Sequence, residues 1–303
     1  MVRNFYLNLL IILRVGILKL VMELMLFLLF LVLILKIGNY SAFIQIITND
    51  NSYFLSYSFQ DFSFSNSPFF IKIADNSFSL DDINININDS FHMLNIEGNI
   101  HFSNHKTISN NFFAPNIMGP FSYFPFMECN HAILSMESNI SGSLYFNGDL
   151  INFDDGIAYI EKDWGTSFPK SYIWCQSNEF LAFPANFMLS IATIPLGSFN
   201  FTGIISDVSF ENKEYKFTTY YGAKLKKYDV NKHSISIEIQ QGNKTLSVSS
   251  LSENSNFLFA PSKGKMKREI LESISSKIDV QIRENDKIIF SNSGFNSGLE
   301  IVI

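Results

Sequence analysis

Residues 141–148, Ser141-Gly-Ser-Leu-Tyr-Phe-Asn-Gly148, read as a strand that runs into an Asn-Gly pair. Asn and Gly tolerate the positive φ angles that a two-residue hairpin turn demands, so the chain is expected to reverse there and pair antiparallel. Working outward, short apolar runs punctuated by Asn, Asp, Ser and Gly recur at 42–48, 53–58, 69–74, 91–102 and 131–139. They continue at 157–161, 172–176, 187–194, 199–206, 215–220, 234–239, 244–249, 277–283, 288–290 and 299–303. Residues 84–88, Asn-Ile-Asn-Ile-Asn, alternate polar and apolar as a strand with one wet face does. Spacing this regular predicts a mainly antiparallel β-protein from about residue 39 to the end. One segment departs from the pattern. Met266, Ile270, Leu271 and Ile274 recur at helical spacing between Pro261/Gly264 and the run at 277–283, which predicts a short C-terminal helix.

A chain of 303 residues with 17% charged side chains and a net charge of −6 has the core-forming capacity of one large domain or two modest ones. It has no basic face suited to nucleic-acid phosphates, so no nucleic-acid partner is expected. The 32 Phe and 12 Tyr suit strands and the lining of an apolar cavity. Cys129 and Cys175 lie too far apart for a redox or zinc motif, and the five histidines show no metal-ligand spacing, so neither a metal nor a cofactor is expected.

Residues 1–38 are different in kind. Leu, Ile, Val, Phe and Met dominate from Phe5 to Ile37, interrupted by Asn8, Arg14, Gly16, Lys19 and Glu23. An apolar helix is predicted, and a single membrane anchor is its simplest reading, with Arg3 and Arg14 ahead of the apolar core. The alternative is a coding-sequence artefact ahead of a cytoplasmic protein.

Chemistry concentrates between Asp155 and Asn178. Both tryptophans, Trp164 and Trp174, fall there with Tyr159, Glu161, Asp163, Tyr172, Gln176 and Asn178. Two readings stay open: an ordinary sheet rim with paired acids, or an apolar pocket with a few convergent polar groups. Upstream, residues 119–131 bring Glu128 and His131 behind Gly-Pro and Phe-Pro pairs that mark a constrained loop.

At these residues the chain resembles the tocopherol cyclase family. The likeness rests on Gly119-Pro-Phe-Ser-Tyr-Phe-Pro125, Met127-Glu-Cys-Asn-His131, Tyr159-Ile-Glu-Lys-Asp-Trp-Gly165 with Phe168-Pro169, and Trp174-Cys-Gln-Ser-Asn178. Ala260-Pro261, Gly264-Lys-Met266 and Gly298-Leu-Glu-Ile301 add to it. The resemblance implies a lipocalin-like architecture of two antiparallel barrels dividing near 180–200. It further implies acid-catalysed cyclisation of a prenylated quinol or related isoprenoid. Glu161 is then the proton donor, with Tyr159 facing the same side of its strand and Trp164, Trp174 and Tyr159 forming an aromatic cage. His131 or Asp163 would hydrogen-bond the acid or accept the phenolic proton, although Asp163 serves equally well as a turn cap before Gly165. Tyr172, Gln176, Asn178 and Glu128 complete the expected ligand contacts. The family pattern begins with an aromatic strand where this chain has its Leu-rich run, which predicts an uncovered sheet edge. A competing expectation is a lipocalin-like binder of a hydrophobic ligand that performs no reaction; a third is an inactive member of the family.

Overall fold

The computed structural model describes residues 10–18, 27–34, 41–124, 127–196, 199–252, 255–262 and 265–303. The hairpin at Asn147-Gly148 forms as expected: both residues take positive φ, 51° and 96°, and Phe146 faces Asp149 across the turn. The strand leading into it is longer than the sequence implied. It runs Cys129–Phe146 without a break, because Gly142, at φ 114°, carries the chain through the point where two separate runs were expected.

Two antiparallel sheets account for the described strands. In the first, the order is Ser52–Ser58, Ser41–Ile47, Phe27–Ile34, Leu10–Leu18, Gly156–Gly165, Cys129–Phe146, Leu94–Lys106, Asp82–Asp89, Asn76–Ser79, Phe69–Ile73, Phe62–Asn66. Asp82–Asp89 shows the logic of the sheet: Ile83, Ile85 and Ile87 are buried, while the Asn residues between them face water. These isoleucines join Ile44, Phe78, Phe102, Ala158 and Ile160 in one apolar core. Each fully buried side chain of this size contributes roughly 1.5–3 kcal/mol.

The second sheet runs Lys213–Lys216, Phe199–Phe210, Ala185–Leu196, Tyr172–Ser177, Lys287–Val302, Lys265–Glu284, Lys244–Leu251, Ser234–Gln241, Lys224–Val230. Its core collects Ile173, Cys175, Phe187, Leu189, Val208, Ile237, Val280 and Phe290. Among the described residues no strand pair closes either sheet into the expected barrel. The chain divides into two compact units. One holds the chain up to Thr107 together with Ile133–Thr166; the other holds Ile108–Ala132, Ser167–Ser262 and Met266–Ile303.

The apolar N-terminal helix is replaced, where residues are described, by two strands. Leu10–Leu18 pairs with Gly156–Gly165 and with Phe27–Ile34, which pairs in turn with Ser41–Ile47. A continuous apolar run suits a buried strand as well as a helix, and here the pairing partners decide. The edge expected to lie bare is thereby covered. Lys19, Glu23 and Arg3 lie outside the described residues, and no helix of the described chain is long and apolar enough to cross a membrane.

The C-terminal helix is likewise a strand, part of Lys265–Glu284. Ile270, Ile274 and Ile278 are four apart, a spacing that fits a period of 2 as well as 3.6, and the buried Glu272, Ser276, Val280 and Ile282 complete the alternation. Gly264, which marked the start of that helix, lies outside the described residues. Finally, the run at 215–220 stops as a strand at Lys216 and turns through a 3-10 helix at Thr219–Tyr221.

Candidate functional site

Alternation along Gly156–Gly165 sorts the motif into two faces. Ala158 and Ile160 point into the first core, so Tyr159, Glu161 and Asp163 point the opposite way. All three are buried: Tyr159 is 2% exposed, Glu161 0% and Asp163 5%. The Tyr159 hydroxyl donates to Glu161 Oε2 at 2.7 Å. Glycine stands across from the phenol, since Gly16 pairs with Tyr159, while Arg14 pairs with Glu161 in the neighbouring strand. Asp163 remains inside the strand rather than capping a turn, which corrects the turn reading.

The same alternation takes Trp164 away from Glu161. Lys162 and Trp164 share the core-side face, where the Lys162 ammonium stands over three rings: Trp164 at 5.4 Å, Phe69 at 5.6 Å and Phe64 at 5.9 Å. Burial lowers the pKa of this lysine, and the ring faces supply some of the attraction that lost water no longer provides. An aromatic cage built from Tyr159 and Trp164 around one carboxyl is therefore not what this strand makes.

A second phenol–carboxyl pair lies in the other unit. Ile173 and Cys175 enter the second core, which leaves Tyr172, Trp174 and Gln176 together on the far face of Tyr172–Ser177. Burial pushes the Cys175 thiol up, so it stays a neutral apolar filler. The Tyr172 hydroxyl donates to Glu300 Oε2 at 2.5 Å. Trp174 pairs in register with Glu300, and Glu300 pairs with Glu272, giving a row of one indole and two fully buried carboxyls across three strands. Gly298 makes room for the indole. A Cβ there would meet the Trp174 ring at 2.6 Å.

Of the remaining expected residues, Gln176 donates through Nε2 to Asn178 Oδ1, His131 is buried near the start of Cys129–Phe146, and Glu128 is exposed. Glu272 and Glu300 were not singled out as site residues from sequence. Glu300 sits in Gly298-Leu-Glu-Ile301, a segment whose sequence carries no sign of its strand partners, and the helical spacing of Ile270 and Ile274 hides the strand that places Glu272.

The profile of a family described as tocopherol cyclase-like matches residues 109–302. A probable chloroplastic tocopherol cyclase from Oryza sativa subsp. japonica is 28% identical over 103 residues, a stretch that is 33% of this chain and 22% of that protein. Only about a fifth of the curated relative's length is therefore spanned by the match. Among solved structures, kievitone hydratase from Nectria haematococca superposes with a TM-score of 0.56 at 12% identity, covering 96% of this chain and 88% of the other. A putative AttH from Nitrosomonas europaea gives 0.55 at 10% identity, covering 98% and 93%. At such identities these two structures establish a shared fold.

Proposed function

This chain belongs to the tocopherol cyclase-like family, and from that membership we propose that it is an acid-catalysed isomerase acting on a prenylated quinol or a related isoprenoid. The observation that carries the reading is the buried Tyr159–Glu161 pair, a phenol fixed on a carboxyl with no exposure to water.

In this reading Glu161 works as a neutral acid. Its Oε2 accepts from Tyr159, and its Oε1 carries the transferable proton. That proton adds to the less substituted carbon of a trisubstituted alkene, which leaves a tertiary cation. The quinol oxygen captures the cation and closes the ring. The phenolic proton then returns to Glu161, directly or through Asp163 on the same face of the strand. Atoms and charge balance as an isomerisation, and no cofactor is consumed. A positioned general acid of this kind contributes about 10²- to 10⁴-fold to the rate, and its proton transfer relies on a site that holds the carboxyl un-ionised near neutral pH. The ligand is a hydrophobic small molecule.

Incubating the purified protein with prenylated quinols tests the reading. Chroman product that disappears in Glu161→Gln is the expected result. Saturable binding of the quinol without any product, in the unaltered protein, would place the chain among non-catalytic binders instead.

A further inference from the structure

Residues 107–127 contain no charged side chain, and the part of this segment from Ile108 to Tyr123 makes little regular structure. It has one isolated bridge, Asn111 to Ala114, and the 3-10 turn Gly119–Tyr123. It belongs to the second unit and is fastened to that unit by a few specific contacts. The Ser109 backbone N–H donates to Glu214 Oε1 at 2.8 Å, and its hydroxyl donates to Glu214 Oε2. Lys216 Nζ donates to the Ser109 carbonyl and, at 2.7 Å, to its hydroxyl oxygen. Further along, the Tyr220 hydroxyl donates to the Ile117 carbonyl at 3.1 Å, and Gly119 lies so close to the Tyr220 ring that a Cβ would meet it at 2.5 Å. Phe121 stacks on Phe201 at 5.6 Å.

Beneath this strap is a second carboxyl. Asp207 lies on Phe199–Phe210, paired in register with Met188 on one side and Lys216 on the other, and is 1% exposed. Because Asp207 pairs with Lys216 and Ser209 pairs with Glu214, Asp207 and Glu214 are diagonal neighbours on one face of two paired strands. Among the described residues no donor reaches either Asp207 oxygen. An ionised Asp207 would therefore be a buried charge with no donor beside a second carboxylate, an arrangement that costs several kcal/mol. A protonated Asp207 carries no charge and brings an O–H to the face of the paired strands that it shares with Glu214.

We propose that Asp207 and Glu214 share one proton, and that this shared proton is a pH-operated latch fastening the strap Ile108–Tyr123 to the second sheet. With the proton in place, Glu214 carries the single negative charge and spends it on Ser109 and Lys216. When the proton leaves, two carboxylates face each other under the strap. The groups around them offer little relief. Strand Ala185–Leu196 presents Met188 and Asn186, the strap presents uncharged Ser109, and the 3-10 turn Thr219–Tyr221 presents Tyr220. Burial first, then Tyr221 and the two acids, push Tyr220 up to about 12 against a lowering hydrogen bond with Thr218, so it stays neutral. Lys216 is the one cation that acts on both acids among the described residues, and it is already engaged by Ser109 and Glu214.

The sign follows from linkage. Burial, reinforced by Glu214, holds the Asp207 pKa well above the ordinary aspartate value, against the smaller lowering effect of Lys216. A carboxyl raised on folding stabilises the docked strap fully below its unfolded pKa, and that stability is lost as pH rises through the raised, folded value.

Hydrogen exchange of peptides spanning Ile108–Tyr123, corrected for the intrinsic pH dependence of exchange, tests the latch between about pH 5 and about pH 9. In the unaltered protein, protection is expected to fall by about tenfold or more as pH rises. In Asp207→Asn, whose amide carries no charge at any pH, it is expected to stay level. Protection that is level in the unaltered protein, or that falls equally in Asp207→Asn, overturns the proposal. Should that variant fail to fold, a carbon-13 titration of the Asp207 carboxyl in the unaltered protein decides. Titration well above the ordinary aspartate range supports the latch, and titration within that range overturns it.

Discussion

The two phenol–carboxyl pairs, Tyr159–Glu161 in the first unit and Tyr172–Glu300 in the second, use the same chemistry and are built in different ways. The first comes from one strand, two residues apart, and needs only the alternation of a β-chain to put both groups on one face. The second joins residues 128 positions apart and exists only because Tyr172–Ser177 pairs with Lys287–Val302 in one register. A slip of one residue would send Glu300 to the opposite face. The local pair is therefore robust to changes elsewhere in the sheet, and the distant pair depends on every feature that sets the register, Gly298 among them.

Neutralising each acid in turn separates the two pairs most strongly. Glu161→Gln is expected to cost about 10²- to 10⁴-fold in turnover of a prenylated quinol. Glu300→Gln is expected to leave turnover within about tenfold of the unaltered protein and to act on thermal stability, through the buried hydrogen bond to Tyr172. Equal losses in the two variants would erase the distinction drawn between the pairs. Removing the phenols comes next. Tyr159→Phe keeps the acid and loses the 2.7 Å hydrogen bond, for an expected loss of about tenfold in turnover with little change in KM. Tyr172→Phe is expected to lower stability by about 1–3 kcal/mol in a denaturant titration, because a buried hydrogen bond to a carboxyl oxygen is removed.

These expectations also mark what the sequence could and could not convey. Glu161 and Tyr159 were legible because their relation is local. Trp164 was misplaced for the opposite reason: proximity in sequence suggested a shared cage, while alternation sends it with Lys162 to the core side. Glu272 and Glu300 escaped because their meaning lies in strand pairing across distant segments, and because Ile270, Ile274 and Ile278 satisfy two periodicities at once. The antiparallel β-character was readable from alternation and from the Asn147-Gly148 turn. The N-terminal strands were not, since an unbroken apolar run carries no period with which to choose between helix and strand.

Gly298→Ala drives a methyl group into the Trp174 ring and is expected to destabilise the protein by about 1–3 kcal/mol. It should leave the Tyr159–Glu161 pair unaffected, so turnover measured well below the new melting temperature should be nearly unchanged. Lys162→Met replaces the ammonium over Phe64, Phe69 and Trp164 with an apolar chain. Its expected cost is about 0.5–1 kcal/mol, read as a shift in the denaturation midpoint. Turnover should stay level, because Lys162 lies on the opposite face of the strand from Glu161.

The most direct test of the central claim follows the proton itself. Turnover of a prenylated quinol in heavy water, with the product analysed by mass spectrometry, should place one solvent-derived deuterium on the former alkene carbon. That incorporation should vanish with the product in Glu161→Gln and persist in Glu300→Gln. Deuterated product formed by Glu161→Gln at the rate of the unaltered protein would contradict the assignment of Glu161 as the acid.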